Sequence, residues 1–253
     1  MRKRKYLTCA FATLCLAFAL PNKIVAQIGN PHLIYQAAYN NSMFLVTKGA
    51  IERGIRSRSE KAEDKAVTAD IPSTNRADLS FTTSSQVHSE VVQSIAKIMA
   101  QGDNAKIKAG TDLLNRGNLL GEFDKLLRQY GFNSHDLADV FSAYVILSWQ
   151  ATTGNDAAKN PRGIEIFRKK MQALFGNNEE IRKFTNAQKQ QTAETLSYIA
   201  VLVTLANQDL TRKGDAGAIS QSHQNIRQAT MKITGMDITK YTLSQTGFNL
   251  NEN

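Results

Sequence analysis

Residues 137–149 read LADVFSAYVILSW. Leu137, Val140, Phe141, Tyr144, Val145, Leu147 and Trp149 recur at helical spacing, yet they cover more than one face of the helix they predict. A surface helix carries one apolar stripe, whereas a helix that is apolar over a wide arc is central and touches several neighbours. Asn133 or Ser134 is expected to cap it, with His135 in its first turn and Asp136 suited to the positive end of its dipole. A second run of this kind, LSYIAVLVTLA at residues 196–206, is apolar nearly all round. It is shorter than the ~20 residues a bilayer span needs, so it reads as a second core helix. Thr185 and Gln188 form the capping-box pattern that opens this helix, which extends to about Lys213.

Further helical patterns surround these two. Val91, Val92, Ile95, Ile98 and Met99 form one that stops at Gly102, and Ile107 and Leu114 form another that ends near Gly117. Leu119, Leu120, Phe123, Leu126, Leu127 and Tyr130 form a third, stopping at Gly131. Asn160-Pro161 opens a helix with the stripe Ile164, Phe167, Met171, Leu174 and Phe175, ended by Gly176. A last pattern runs from about Asp215 through Ile219, Ile226, Ala229 and Ile233 to Gly235. Glycine ends such helices because it takes the left-handed position past the last turn with least strain. The tail from Met236 is short and polar, with Ile238, Tyr241, Leu243, Phe248 and Leu250 as anchors. The expected fold class is all-α: a single bundle-like domain of about six or seven helices over residues 84–253, with a central apolar helix.

The N-terminus has a different character. Arg2, Lys3, Arg4 and Lys5 precede an apolar run from Tyr6 to Leu20, a breaker at Pro21 and a cleavage-compatible Ile24-Val25-Ala26. This is the pattern of a secretory signal peptide over residues 1–26. The run is short for a membrane anchor. Neither Leu14 before Cys15 nor Thr8 before Cys9 provides the small residue that lipoprotein attachment requires. Residues 27–83 read as an N-terminal arm followed by a flexible linker, because Arg56–Asp78 has almost no large apolar side chain to offset the entropy of ordering. Removing residues 1–26 takes away five basic residues, no acidic ones and both cysteines, and lowers the net charge from +9 to +4. The mature chain would be thiol-free and only mildly basic, so cysteine chemistry and a nucleic-acid partner are not expected.

The run Tyr130–Gly154, YGFNSHDLADVFSAYVILSWQATTG, resembles a segment of an uncharacterised family of exported, all-helical bacterial proteins. The helix at Ala187–Ala206 and the closing LSQTGF at Leu243–Phe248 are similar to that family as well, and the resemblance spans roughly residues 80–250. It implies a helical fold and export, and no catalytic residue.

Few chemical motifs stand beside these patterns. His32, His88, His135 and His223 lie far apart in sequence, and no HExxH is present, so no helix offers a two-imidazole metal face and no metal site is expected. Ser94 and Lys97 match SxxK without the SDN and KTG partners, and read as a solvated face beside Ile95 and Ile98. There is no glycine-rich phosphate loop, GxSxG elbow or EF-hand loop, and no cofactor is expected. Arg168-Lys169-Lys170 with Arg182 and Lys183 reads as a solvated outer face, and Tyr144 and Trp149 as core. Asp136 is assigned to the helix start and Asp139 to a solvent face. Glu122 and Glu194, set within apolar helices, are the weak catalytic candidates for a cell-envelope glycan hydrolase, since partial burial suits a general acid. The leading expectation is a non-enzymatic, exported interaction protein, periplasmic or extracellular. It would act through a helical groove or its N-terminal arm on a protein or cell-envelope component.

Overall fold

The computed structural model describes residues 77–116 and 118–251, together with Tyr35, Lys48 and Gly49. The signal-peptide reading of residues 1–26 lies outside the described residues, as does nearly all of the arm and linker reading of 27–76. The helices are α1 (Ser85–Ala100), α2 (Asn104–Arg116), α3 (Leu119–Gln129), α4 (Leu137–Thr153), α5 (Pro161–Gly176), the single turn α6 (Glu179–Arg182), α7 (Asn186–Lys213) and α8 (Ala216–Thr234). A hairpin of β1 (Tyr241–Ser244) and β2 (Gly247–Leu250) closes the described chain. Among the described residues the fold is an all-α bundle with one small two-stranded sheet.

The wide apolar arc of α4 has the expected consequence. Every residue of it from Leu137 to Trp149 is buried, and it packs on α5, α7 and α8. α7 runs 28 residues, about 42 Å at 1.5 Å per residue, long enough to reach α1, α3, α4 and α8. Its capping box forms as read, with Thr185 accepting from the Gln188 amide and Gln188 accepting from that of Thr185. Phe141 meets Phe175 edge-on at 5.0 Å where α4 and α5 cross, and the Tyr144 hydroxyl lies 3.2 Å from that of Thr230 on α8. No helix among the described residues is long and apolar enough to cross a membrane.

Three local expectations are corrected. The N-cap of α4 is Asp136 rather than Asn133 or Ser134, because its carboxylate accepts from the Asp139 amide at 2.9 Å. His135 therefore precedes the helix instead of sitting in its first turn. Gly176 is the last residue of α5, as read, and Asn177 follows it in right-handed geometry. The tail is a hairpin docked on the bundle, with Tyr241 opposite Leu250. Trp149 donates its indole N–H to the Tyr241 carbonyl at 2.9 Å, and Phe248 lies edge-on to both Phe167 and Trp149. Gly163 of α5 permits this docking, because a Cβ there would lie 1.8 Å from the Ser244 carbonyl oxygen. Of the expected anchors Ile238 and Leu243 are buried, Tyr241 and Phe248 partly so, and Leu250 is exposed.

Residues 77–83 form an extended strap against the bundle. Leu79 and Phe81 alternate and are buried, and the strap exchanges backbone hydrogen bonds with the segment leading into α4, from Phe81 to the His135 carbonyl and from Leu137 to the Leu79 carbonyl. Side chains of α7 hold its other edge. Asn186 both accepts from and donates to the Thr82 backbone, Lys189 donates to the carbonyls of Asp78 and Ser80, and Gln190 pairs with both backbone groups of Ser84. Two large apolar residues and a paired backbone are enough to order this strand-like piece, which follows directly on the Arg56–Asp78 stretch read as a linker.

Candidate functional site

The strap, α1, α3, α7 and the turn before α4 surround a cleft of about 470 Å³. Phe81 and Thr83 line it from the strap, Ser84 from the N-cap of α1, Ser85 and His88 from α1, and Leu120, Gly121, Phe123 and Asp124 from α3. Ser134 and His135 contribute from the turn, and Gln190, Glu194 and Ser197 from α7. The volume lies in the range of small-molecule sites. A second cavity, of about 20 Å³, lies among apolar side chains such as Leu126, Phe132 and Ile146, and offers room for little more than a water molecule.

A polar network forms on the α7 side. Glu194 lies within 2.9 Å of Nδ1 of His88 through Oε2, and accepts at Oε1 from the Gln190 amide at 2.8 Å. Gln190 is fully buried and divides its amide between Glu194 and the Ser84 carbonyl, linking the strap to the carboxylate. Both Glu194 oxygens are engaged, and the carboxylate is one-tenth exposed. With the imidazole neutral, its Nδ1–H donates to Glu194 and fixes the tautomer, so Nε2 carries the lone pair. The His88 side chain is 35% exposed, and Nε2 has no partner among the described residues. The Tyr198 ring lies beside that of His88, and burial, helped by the Glu194 charge, pushes its hydroxyl above the ordinary tyrosine range.

The opposite wall is a closed network. Asp124 accepts from the Ser134 hydroxyl and pairs with Arg128 at 2.7 Å. Burial works to raise its carboxyl, but the hydrogen bonds from Ser134 and Arg128 and the adjacent positive charge outweigh burial and hold it below the usual value. His135 lies edge-on to Phe81 at 5.7 Å.

The two weak catalytic candidates are separated by this geometry. Glu194 lines the cleft, whereas Glu122 pairs with Lys125 at 2.6 Å and is not part of the lining. Ser94 and Lys97 lie on the exposed face of α1. Asp139, assigned to a solvent face, is fully buried. Arg168 reaches it with Nε and Nη2, each at 2.7 Å, while Gln172 donates at 2.8 Å and the Asn133 amide at 2.7 Å. Arg168 also stacks over Phe132, so this member of the basic cluster faces inward, while Lys169 and Lys183 pair with Glu165 and Glu180. His223 lies on α8, away from the cleft, and His32 is outside the described residues. Among the described residues no group of three His, Cys, Asp or Glu side chains could hold a metal ion. His88 carries the most accessible chemistry of the site and escaped sequence reading, because its partner lies 106 residues away on another helix.

Fold and cleft together define a class: an all-α bundle in which an extended strap and three helices enclose a groove of mixed polar and apolar lining. The chain belongs to a family of unknown function, DUF6683, whose model matches residues 4–251. No curated protein and no solved structure matches it.

Proposed function

We propose that this is an exported, non-enzymatic binding protein of bacteria, periplasmic or extracellular, which takes a small polar ligand in the groove between α1, α3 and α7. The observation that carries the reading is the cleft itself, with the imidazole of His88 oriented by Glu194 and its Nε2 left open. Fixed polar groups converging on a preformed concavity are what a ligand site requires. The large apolar side chains exposed among the described residues are Met231 and Leu250, which favours binding in the groove over an apolar docking face. Glycan hydrolysis would need two free carboxyl groups across the substrate. Here Asp124 is tied to Arg128 and Glu122 lies outside the lining, which leaves Glu194 without a second free carboxyl group across the groove. Export rests on the basic and apolar N-terminal run.

Native mass spectrometry tests the groove. Purified protein incubated with a small-molecule extract of the bacterial envelope should retain an adduct that Ser85→Trp, a bulky substitution at an exposed lining position, removes. An adduct equally retained by the variant, or none at all, would refute the groove. Intact mass of the secreted chain tests export separately, and is expected to show the loss of Met1–Ala26.

A further inference from the structure

We infer that the groove selects ligands bearing a protonated amine, which is received at the Glu194 end. The inference rests on the groove being the binding site and adds the chemistry of what it binds.

No Lys or Arg is among the described residues that line the cleft, while two carboxylates are. They are not equivalent. Asp124 has Arg128 at 2.7 Å, so its charge is already compensated. Glu194 is nine-tenths buried, and its one ionisable partner among the described residues is His88. With that imidazole neutral, the Glu194 charge has hydrogen bonds but no counter-charge, and a charge held out of water without one is costly. Two acceptor directions of the carboxylate also stay open, since a carboxylate offers about four and Gln190 and His88 use one each.

The remaining groups point the same way. When His88 gives its single N–H to Glu194 from Nδ1, it presents a lone pair at Nε2 and no hydrogen there, so it calls for a donor. The hydroxyls of Ser84 and Ser85 on the adjacent rim can accept from a donor as readily as they donate. An ammonium group has three donors, no acceptor and the charge that Glu194 lacks. A neutral hydroxyl would satisfy the lone pair but leave the charge. A carboxylate or phosphate would place like charge against like and meet an acceptor at Nε2, which the site disfavours.

Three probes of equal length separate these cases: butane-1,4-diamine, butane-1,4-diol and succinate, titrated calorimetrically into the full chain. The diamine is expected to bind at least tenfold more tightly than the other two. Glu194→Gln should weaken it at least tenfold, because the amide can still accept from Gln190 but presents a donor in place of the second oxygen and removes the charge. Glu122→Gln, outside the lining, should leave it unchanged. If Glu194→Gln does not fold, His88→Lys supplies the second variant: its own ammonium beside Glu194 should displace the diamine to the same extent. Equal or tighter binding of the diol or succinate overturns the inference, as does diamine binding that survives loss of the Glu194 charge. If no probe binds while an envelope extract still yields an adduct sensitive to Ser85→Trp, the amine chemistry is wrong and the groove stands. If that adduct is also missing, both fall.

Discussion

Asp139 and Glu194 are the same kind of group in the same kind of place. Each is a carboxylate on an apolar, central helix, and each is almost wholly removed from water. Their surroundings differ. Asp139 accepts four hydrogen bonds, two of them from the fork of Arg168, and its charge is matched inside the protein. Glu194 has an amide and an imidazole, and lies against a cleft. A buried charge that is fully answered ties elements together, here α4 to α5 and to the turn before α4. A buried charge answered only in part carries a desolvation cost that a bound counter-charge would offset. Around Asp139 the electrostatics are self-consistent: burial and the Asp139 charge push the carboxyl of Asp136, the N-cap beside it, above the ordinary aspartate value.

The largest effect should come from breaking the matched site. Asp139→Ala strands the Arg168 guanidinium, three-quarters buried, with neither its partner nor full hydration. Losing one member of a buried pair costs about 3–5 kcal/mol. Urea unfolding of the variant at neutral pH is expected to show a loss in that range with an unchanged slope. A loss under about 1 kcal/mol, the usual value of an exposed ion pair, would place Asp139 with the surface pairs and dissolve the contrast with Glu194.

Gly163→Ala attacks the same side of the molecule through shape. The added methyl would meet the Ser244 backbone oxygen, so the hairpin must lift from α5 or the helix must shift. Overpacking of this kind costs about 1–3 kcal/mol. Trp149 is the single tryptophan of the chain and is bonded to the hairpin at Tyr241, so its fluorescence reports the displacement. An unchanged emission maximum would mean that the hairpin is not seated by Gly163.

The two sides also differ in how far the sequence reveals them. The helices were readable because their signals are local: the wide arc of α4, the capping box of α7, Pro161 at the start of α5 and Gly235 at the end of α8. The hairpin was not, because its four-residue strands are stabilised by Trp149, Phe167 and Gly163 from elsewhere in the chain. Asp139 was misread for a similar reason. Three residues after Asp136, it looks like the next acidic residue of a solvated first turn, and only Arg168, 29 positions on, shows that it points inward. Glu194 was found as a carboxylate within an apolar helix, but neither His88 nor the cleft has any trace near it in sequence.

On the cleft side the stability change should be small and the binding change large. Glu194→Gln keeps the size of the side chain and the bond from Gln190, lets His88 accept from the new amide by taking the other tautomer, and removes a charge, so unfolding should change by under about 1 kcal/mol in either direction. The same urea experiment as for Asp139→Ala checks it. A loss as large as that of Asp139 would assign Glu194 a role in holding the fold, and the two carboxylates would no longer differ in kind.

A third carboxylate sets the lower end of the scale. Asp237, before the turn that leads to β1, meets Arg227 of α8 through the same two-point fork that Asp139 makes with Arg168, but Arg227 is nearly half exposed. Arg227 first, with Thr239 adding to it against the cost of burial, lowers the Asp237 carboxyl from 3.8 to about 2. A carboxyl depressed in the folded state stabilises the protein above its unfolded value and loses that contribution as pH falls through the folded one. Wild type should therefore exceed Asp237→Asn by about 0.2–1 kcal/mol at neutral pH, the solvent-screened value of such a pair. The difference should stay constant down to about pH 4 and vanish toward pH 2, as measured by urea unfolding across that range. Curves that stay parallel to pH 2 would show that geometry alone does not set the worth of an arginine fork. Burial of both partners, which separates the Asp139 pair from this one, would then have to account for the whole of the difference.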